Sequence, residues 1–449
     1  MKNNSPMPTF VKYLRQLRHS RMALAILVIY VAAEILLVGV PKITDDAGFM
    51  AYAAFAVGAL AIAPLLLASV LATCWYQDRS NPGCDPVSTT PLTPVAMMGG
   101  LNLACLAIIV GIFLLSVPAL VRLFANLGYS DISATNFFMA LALGIPALTA
   151  TSAALFMLPP SNIKGKNISN GMIIVVLVFL QPMVIGAISA VSDADGIEFL
   201  FSGWLMCFTV WLYAFSVSTS QCIPASGNRR IWPRLATLTI IFVLLPLIQY
   251  LGTDYYGRPR ERFFTESWAV WSIGLVIIDL LAAINDPVIP SQRILRNHAS
   301  TPFRRIVSFL FAPGAVNGWV FSAAAMAFVS LMSVEWWDFE GTHFCFVVLF
   351  YAATAIFVKD RFPQLNLSGF ALFAIIAAIF ILPAFLKAFD VGGWCLYTSP
   401  FVGPLNSLEQ CVLTFVFLGA SAILIAPSAL RVVSVWWGRD PERNPGTAA

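Results

Sequence analysis

Two carboxylates stand inside otherwise apolar stretches, Glu34 in VIYVAAEILLVGV and Asp279 in GLVIIDLLAAI. A carboxylate in such surroundings is either a polar gate that exchanges a proton along a transport path, or a protonated acid hydrogen-bonded to a neighbouring helix. The residue types leave both readings open. Other chemistry is scarce. His19, His298 and His343 lie far apart on separate connecting segments and cannot converge on one metal. Eight cysteines occur without C-x-x-C or Cys/His spacing, which argues against a metal centre or a disulfide framework. Cys345 and Cys395 are both near the outer face in the map below, where an oxidising periplasm would let them meet. No G-x-x-x-x-G-K-[ST] loop is present to cradle nucleotide phosphates, and no serine lies in G-x-S-x-G context. The chain therefore offers no catalytic set and implies no cofactor and no resident metal; it does not look like an enzyme.

The elements that must hold the two acids follow from composition. Of 449 residues, 59% are hydrophobic and only 11% charged, with a mean hydropathy of +0.83. A soluble globular protein covers its surface with roughly 25% charged residues. With so few charges the exterior must face lipid, and a net charge of +4 does not argue for nucleic acid. Apolar stretches fall near 22–40, 48–75, 95–121, 136–158, 171–191, 199–220, 235–251, 267–285, 306–332, 343–358, 367–386 and 409–433. Each is long enough to cross about 30 Å of hydrocarbon as a helix. They are apolar on every side, unlike the alternating strands of a membrane barrel. The expected fold is an all-α polytopic integral membrane protein of about twelve transmembrane helices. Prolines inside several spans, Pro246 among them, are tolerable where neighbours satisfy the freed carbonyls. The first stretch reads as an uncleaved helix, because its apolar run exceeds a typical signal-peptide core.

Basic residues orient this map. With both termini inside, the outer segments hold only Lys42, Arg122, Arg258, Arg260, Arg262 and Lys387 of the 26 Lys and Arg. The rest lie on the inner side, as the positive-inside rule requires. The expected location is the bacterial cytoplasmic (inner) membrane. In this map Glu34 lies about 12 residues from the inner end of its span, or ~18 Å, and Asp279 about 7 residues, or ~10 Å. Their different depths speak against one shared site.

The spans divide into two six-helix halves, 1–225 and 226–449. Each half opens on a basic segment, and in each the second span is followed by a long inner loop, 76–94 or 286–305. An even number of spans per half makes the relation a parallel repeat. Ahead of the first span, Phe10, Leu14 and Leu17 recur at helical spacing with Lys12, Arg15 and Arg18 on the other face. That is the pattern of an amphipathic arm lying on an anionic inner leaflet, and equally of a positive-inside anchor.

One segment carries a family resemblance. Residues 64–122 read PLLLASVLATCWYQDRSNPGCDPVSTTPLTPVAMMGGLNLACLAIIVGIFLLSVPALVR. This resembles the second and third membrane helices of ABC-2 type permeases, the membrane subunits of type-2 ABC exporters. Gln77, Asp78 and Arg79 stand at the acidic-basic pair that ends the second span. Thr90, Pro91, Leu92 and Thr93 match the cytoplasmic elbow, and Pro118 matches the distal proline. Gly99 and Gly100 occupy the Gly-Lys position, without its lysine. The resemblance covers about 60 residues. It implies a permease that does no chemistry, energised by a separate ATP-binding-cassette ATPase subunit. Thr90, Pro91, Leu92 and Thr93 are then coupling candidates. In the second half Arg293 and Arg296 lie three apart, on one helical face, where partner carboxylates can meet them. Two rivals remain: a proton-coupled secondary transporter using Glu34 or Asp279, and an integral-membrane transferase. The transported substrate is not legible in the sequence.

Overall fold

The computed structural model describes residues 5–39, 63, 66–68, 70–75, 92–127, 196–223, 227–252, 260–289, 294, 302–332, 339–365, 367–368, 371–378 and 407–437. These are overwhelmingly helical, with no strand among the described residues. Five helices among them are long and apolar enough to cross a bilayer: Arg21–Gly39, Pro94–Ala119, Ile231–Ile248, Ala315–Met332 and Phe415–Trp437. Four of them carry exposed Leu, Ile, Val or Phe side chains along their length, as lipid-facing helices do, whereas Ala315–Met332 exposes them only near its end. The protein is α-helical and membrane-embedded. The stretches read at 136–158 and 171–191, with most of 48–75 and half of 367–386, lie outside the described residues. So do Gln77, Asp78, Arg79, Thr90, Pro91, Arg293, Arg296 and Cys395.

The chain divides into two compact units, Met1–Ile223 with Pro246–Gly257, and Pro224–Leu245 with Arg258–Ala449. In the first, the arm is a helix over Met7–His19. It ends at Ser20, whose N–H donates to the Leu17 carbonyl at 3.0 Å. The Ser20 hydroxyl then accepts from the Ala23 N–H at 3.3 Å, capping the Arg21–Gly39 helix. One serine thus closes one helix and starts the next, which makes the turn between them a fixed corner.

The arm's apolar stripe is turned toward protein rather than lipid. Phe10, Leu14 and Leu17 pack on a cluster containing Leu71, Trp75, Met97, Met98 and Leu101, and Tyr13 is buried beside them. The Tyr13 and Trp75 rings lie 6.1 Å apart between centroids. The surface beneath the arm is the start of a 34-residue helix, Pro94–Leu127. Its roughly 50 Å length exceeds the hydrocarbon thickness, so it extends beyond the bilayer core. Thr93 caps it: its hydroxyl accepts from the Ala96 N–H at 3.3 Å, and Pro94 supplies the fixed φ that favours a first helical position.

In the second unit, one expected span is broken. Residues 306–332 read as continuous, but two helices form, Pro302–Phe311 and Ala315–Met332. Pro313 lacks an N–H for the helical ladder, and Gly314 takes a φ of +144°, a conformation closed to other residues. The first of the two helices exposes Phe303 and Ile306. The Ile231–Thr239 helix passes into a π turn at Ile240–Leu244 just ahead of Pro246. Pro246 has no N–H to continue that pattern to the Ile241 carbonyl. Trp268 Nε1 donates to that carbonyl instead, at 2.9 Å. This is the neighbour compensation that proline in a membrane helix requires.

Candidate functional site

The second unit gathers charge at one end of its helices, and Asp279 lies at the deepest point. It sits on the Arg260–Ile284 helix, wholly buried, and faces Arg234 of the Ile231–Thr239 helix. Arg234 Nε stands 3.4 Å from Asp279 Oδ2, and both side chains are fully buried. Arg234 also donates through Nη1 to the Ala312 carbonyl at 2.8 Å and to the Leu310 carbonyl. Those carbonyls end the Pro302–Phe311 helix, where the helix dipole favours a cation. The Phe321 ring lies 5.2 Å from the guanidinium carbon. Around one guanidinium are therefore a carboxylate, two helix-end carbonyls and an aromatic face. Arginine suits this because its planar fork binds in several directions at once and keeps its charge.

Small residues make the close approach possible. A Cβ at Gly318 would collide with the Ala283 Cβ and come within 3.1 Å of Arg234 Nη2. The Arg260–Ile284 and Ala315–Met332 helices meet at that contact, in the small-residue manner of membrane helix pairs. Asn317 stabilises the corner before it, donating from Nδ2 to the Phe309 carbonyl at 2.8 Å.

Two turns along from Asp279, the charges reach the helix end. Arg230 grips Asp286 with two bonds, Nε to Oδ2 at 2.7 Å and Nη2 to Oδ1 at 2.9 Å, the fork geometry of strong Arg–carboxylate pairs. Lys359 donates to the carbonyls of Ile284, Asn285 and Asp286 at 2.9, 3.0 and 3.0 Å, so one ammonium caps the end of the Arg260–Ile284 helix. Lys359 lies just past the 343–358 stretch. Burial there pushes its ammonium below the usual lysine value, and the neighbouring Asp286 carboxylate opposes that shift. Next to it, Asp360 accepts from the Ser428 hydroxyl at 2.5 Å and from Arg431. These bonds join the Phe339–Arg361 and Ser407–Trp437 helices.

Glu34, in the other unit, has different company. It is 7% exposed on the Arg21–Gly39 helix, one turn from Tyr30, and Ser116 of the Pro94–Leu127 helix lies by the same tyrosine hydroxyl. These neighbours are neutral hydroxyls. In the same unit Trp211 Nε1 donates to Asn102 Oδ1 at 3.1 Å, which ties the Gly196–Gln221 helix to the Pro94–Leu127 helix.

Of the coupling candidates, Leu92 and Thr93 are described. Leu92 packs against the core beneath the arm, and Thr93 caps the long helix. Gly100, which occupies the position after Gly99 in the resemblance, is where the arm touches down. A Cβ there would meet the Pro6 carbonyl, would lie 2.6 Å from the Thr9 Cβ and 2.9 Å from the Phe10 nitrogen. Arm and elbow helix are thus in direct backbone contact. Cys345 is buried as a free thiol, and among the described residues no group of three or more metal-ligating side chains converges.

Sequence reasoning missed Arg234, which reads as one more cation of the Arg229–Arg230 cluster. A signal was present. Arg230 and Arg234 are four apart and Asp279 and Asp286 seven apart, so each pair occupies one helical face. Comparison of the chain with family models, curated proteins and solved structures finds no match to any of them.

Proposed function

We propose that the chain is the membrane subunit of an ABC-2 type exporter in the bacterial cytoplasmic membrane, moved by a separate ATPase chain. In this reading about twelve spans form two six-helix halves in parallel repeat, both termini are cytoplasmic, and the subunit does no chemistry of its own. The supporting observation is the junction of the arm and the Thr93-Pro94 elbow at Gly100. A partner that hydrolyses ATP moves a membrane subunit only through parts stiff enough to transmit displacement. Arm, corner and elbow helix form such a part, because backbone contact leaves no side chain to absorb the motion. Thr90, Pro91, Leu92 and Thr93 would receive the push in the first half, and Arg293 and Arg296 in the second.

Purification in mild detergent should carry an ATPase chain with the protein. Arg293→Gln with Arg296→Gln should insert normally yet lose that chain or its stimulated hydrolysis. Gly100→Val should uncouple in the same way while leaving insertion intact. Cysteines at Ser88 and Ser300 should resist an impermeant thiol reagent in intact cells. The absence of any associated ATPase would remove the proposal.

A second reading, a proton-coupled carrier, is favoured by the buried Arg234–Asp279 pair. Intramembrane acids paired with a basic residue recur along proton paths. Under it, transport in vesicles would follow an imposed pH gradient without ATP, and Asp279→Asn would abolish that dependence.

A further inference from the structure

The Pro302–Phe311 helix is amphipathic the wrong way round for a protein in water. Phe303, Ile306 and Val307 recur at i, i+3 and i+4, so they share one face, and they are 75%, 51% and 38% exposed. Arg305 and Ser308 stand on the opposite side and are half-buried. A helix packed on a core surrounded by water would bury the first set and expose the second. Its 10 residues rise about 15 Å, half the hydrocarbon thickness, so it cannot cross a bilayer by itself.

We propose that this helix lies along the bilayer surface, with Phe303, Ile306 and Val307 seated among the acyl chains just below the lipid headgroups. Three observations select lipid as the occupant of that face. The helix joins the Ala315–Met332 span through the Pro313-Gly314 corner. That corner is held, because Asn317 Nδ2 donates to the Phe309 carbonyl and Arg234 Nη1 to the Ala312 carbonyl, each at 2.8 Å. The helix therefore sits at the end of a span, where the chain meets the membrane boundary. On its inward side Phe309 packs on Trp436 and Trp437, with ring centroids 5.5 and 5.6 Å away, at the last residues of the Phe415–Trp437 span. Tryptophan at a span end marks the headgroup level, so a second span places the helix at the same height. The division of its faces agrees. A helix within hydrocarbon is apolar all round, and one in water hides its apolar side. At the interface one face meets acyl chains while the other meets polar groups.

The test places a fluorescent amino acid singly at Phe303, Ile306, Val307 or Ile423 in the full chain, reconstituted in phosphatidylcholine bilayers. Ile423, 74% exposed within the Phe415–Trp437 span, is the deep reference. The quenchers are lipids carrying a nitroxide near the start or at the end of an acyl chain, and iodide in the water. Labels at Phe303, Ile306 and Val307 should be quenched most by the shallow nitroxide, and the label at Ile423 most by the deep one. The Phe303 and Val307 labels should lie at one depth, whereas a helix that continued the span would set them roughly 6 Å apart. All four sites are exposed, so the label displaces no packed side chain, and a thermal midpoint equal to that of the parent checks the fold. Quenching of the three interfacial labels by iodide would place the face in water and overturn the proposal. Protection from every quencher would mean that a second copy or another protein covers the face, and would overturn it equally. So would a depth difference of about 6 Å between Phe303 and Val307.

Discussion

Glu34 and Asp279 are the same kind of residue in the same kind of surroundings, yet they are held in opposite ways. Asp279 faces a buried guanidinium that is itself anchored to the end of another helix. Glu34 faces the hydroxyl of Tyr30, which has Ser116 beside it. An acid with a buried counter-charge is part of a frame, since removing either partner strands the other in a low-dielectric interior. Among the described residues Glu34 has no such counter-charge, so its substitution strands no partner there.

That contrast can be broken most severely at the pair. Asp279→Ala or Arg234→Ala should each destabilise the folded protein by about 3–5 kcal/mol, because an uncompensated buried charge remains. Thermal unfolding in detergent would read this as a large fall in midpoint. The double change Arg234→Met with Asp279→Leu should recover most of the loss. Equal losses in the single and double variants would mean that packing, not charge, dominates there. A smaller effect is expected at the contact that lets the pair form. Gly318→Ala should cost about 1–3 kcal/mol, since its new methyl meets the Ala283 Cβ, which is fixed to backbone. Gly419→Ala, where nothing lies within 4 Å, serves as its control and should not lower the midpoint. The smallest effect belongs to Glu34→Gln, which keeps shape and loses only charge. It should stay within about 1 kcal/mol of the parent by the same measurement. A loss as large as that of Asp279→Ala would reveal a cation at Glu34 and erase the distinction.

The sequence made the helical, lipid-facing character legible because it depends on composition and on run length, which are local. Both intramembrane acids were legible for the same reason. What was not legible depended on pairing across distance. Arg234 joins Asp279 across 45 positions, and a cation near a span end already satisfies the positive-inside rule without a partner. The break at Pro313-Gly314 was hidden because both flanking segments are apolar enough to read as one run. The arm's helical period was plain, but periodicity says only that a stripe will be buried, not whether lipid or protein buries it. The deciding residue was Gly100, whose missing side chain leaves no mark on hydropathy.

That docking contact also imposes an order on biosynthesis. The arm leaves the ribosome well before Gly100 is polymerised, so for that interval its landing surface does not exist. Until then Phe10, Leu14 and Leu17 lack the Met97, Met98 and Leu101 part of the surface they pack on, so the arm reaches its final position only after the Pro94–Leu127 helix has formed.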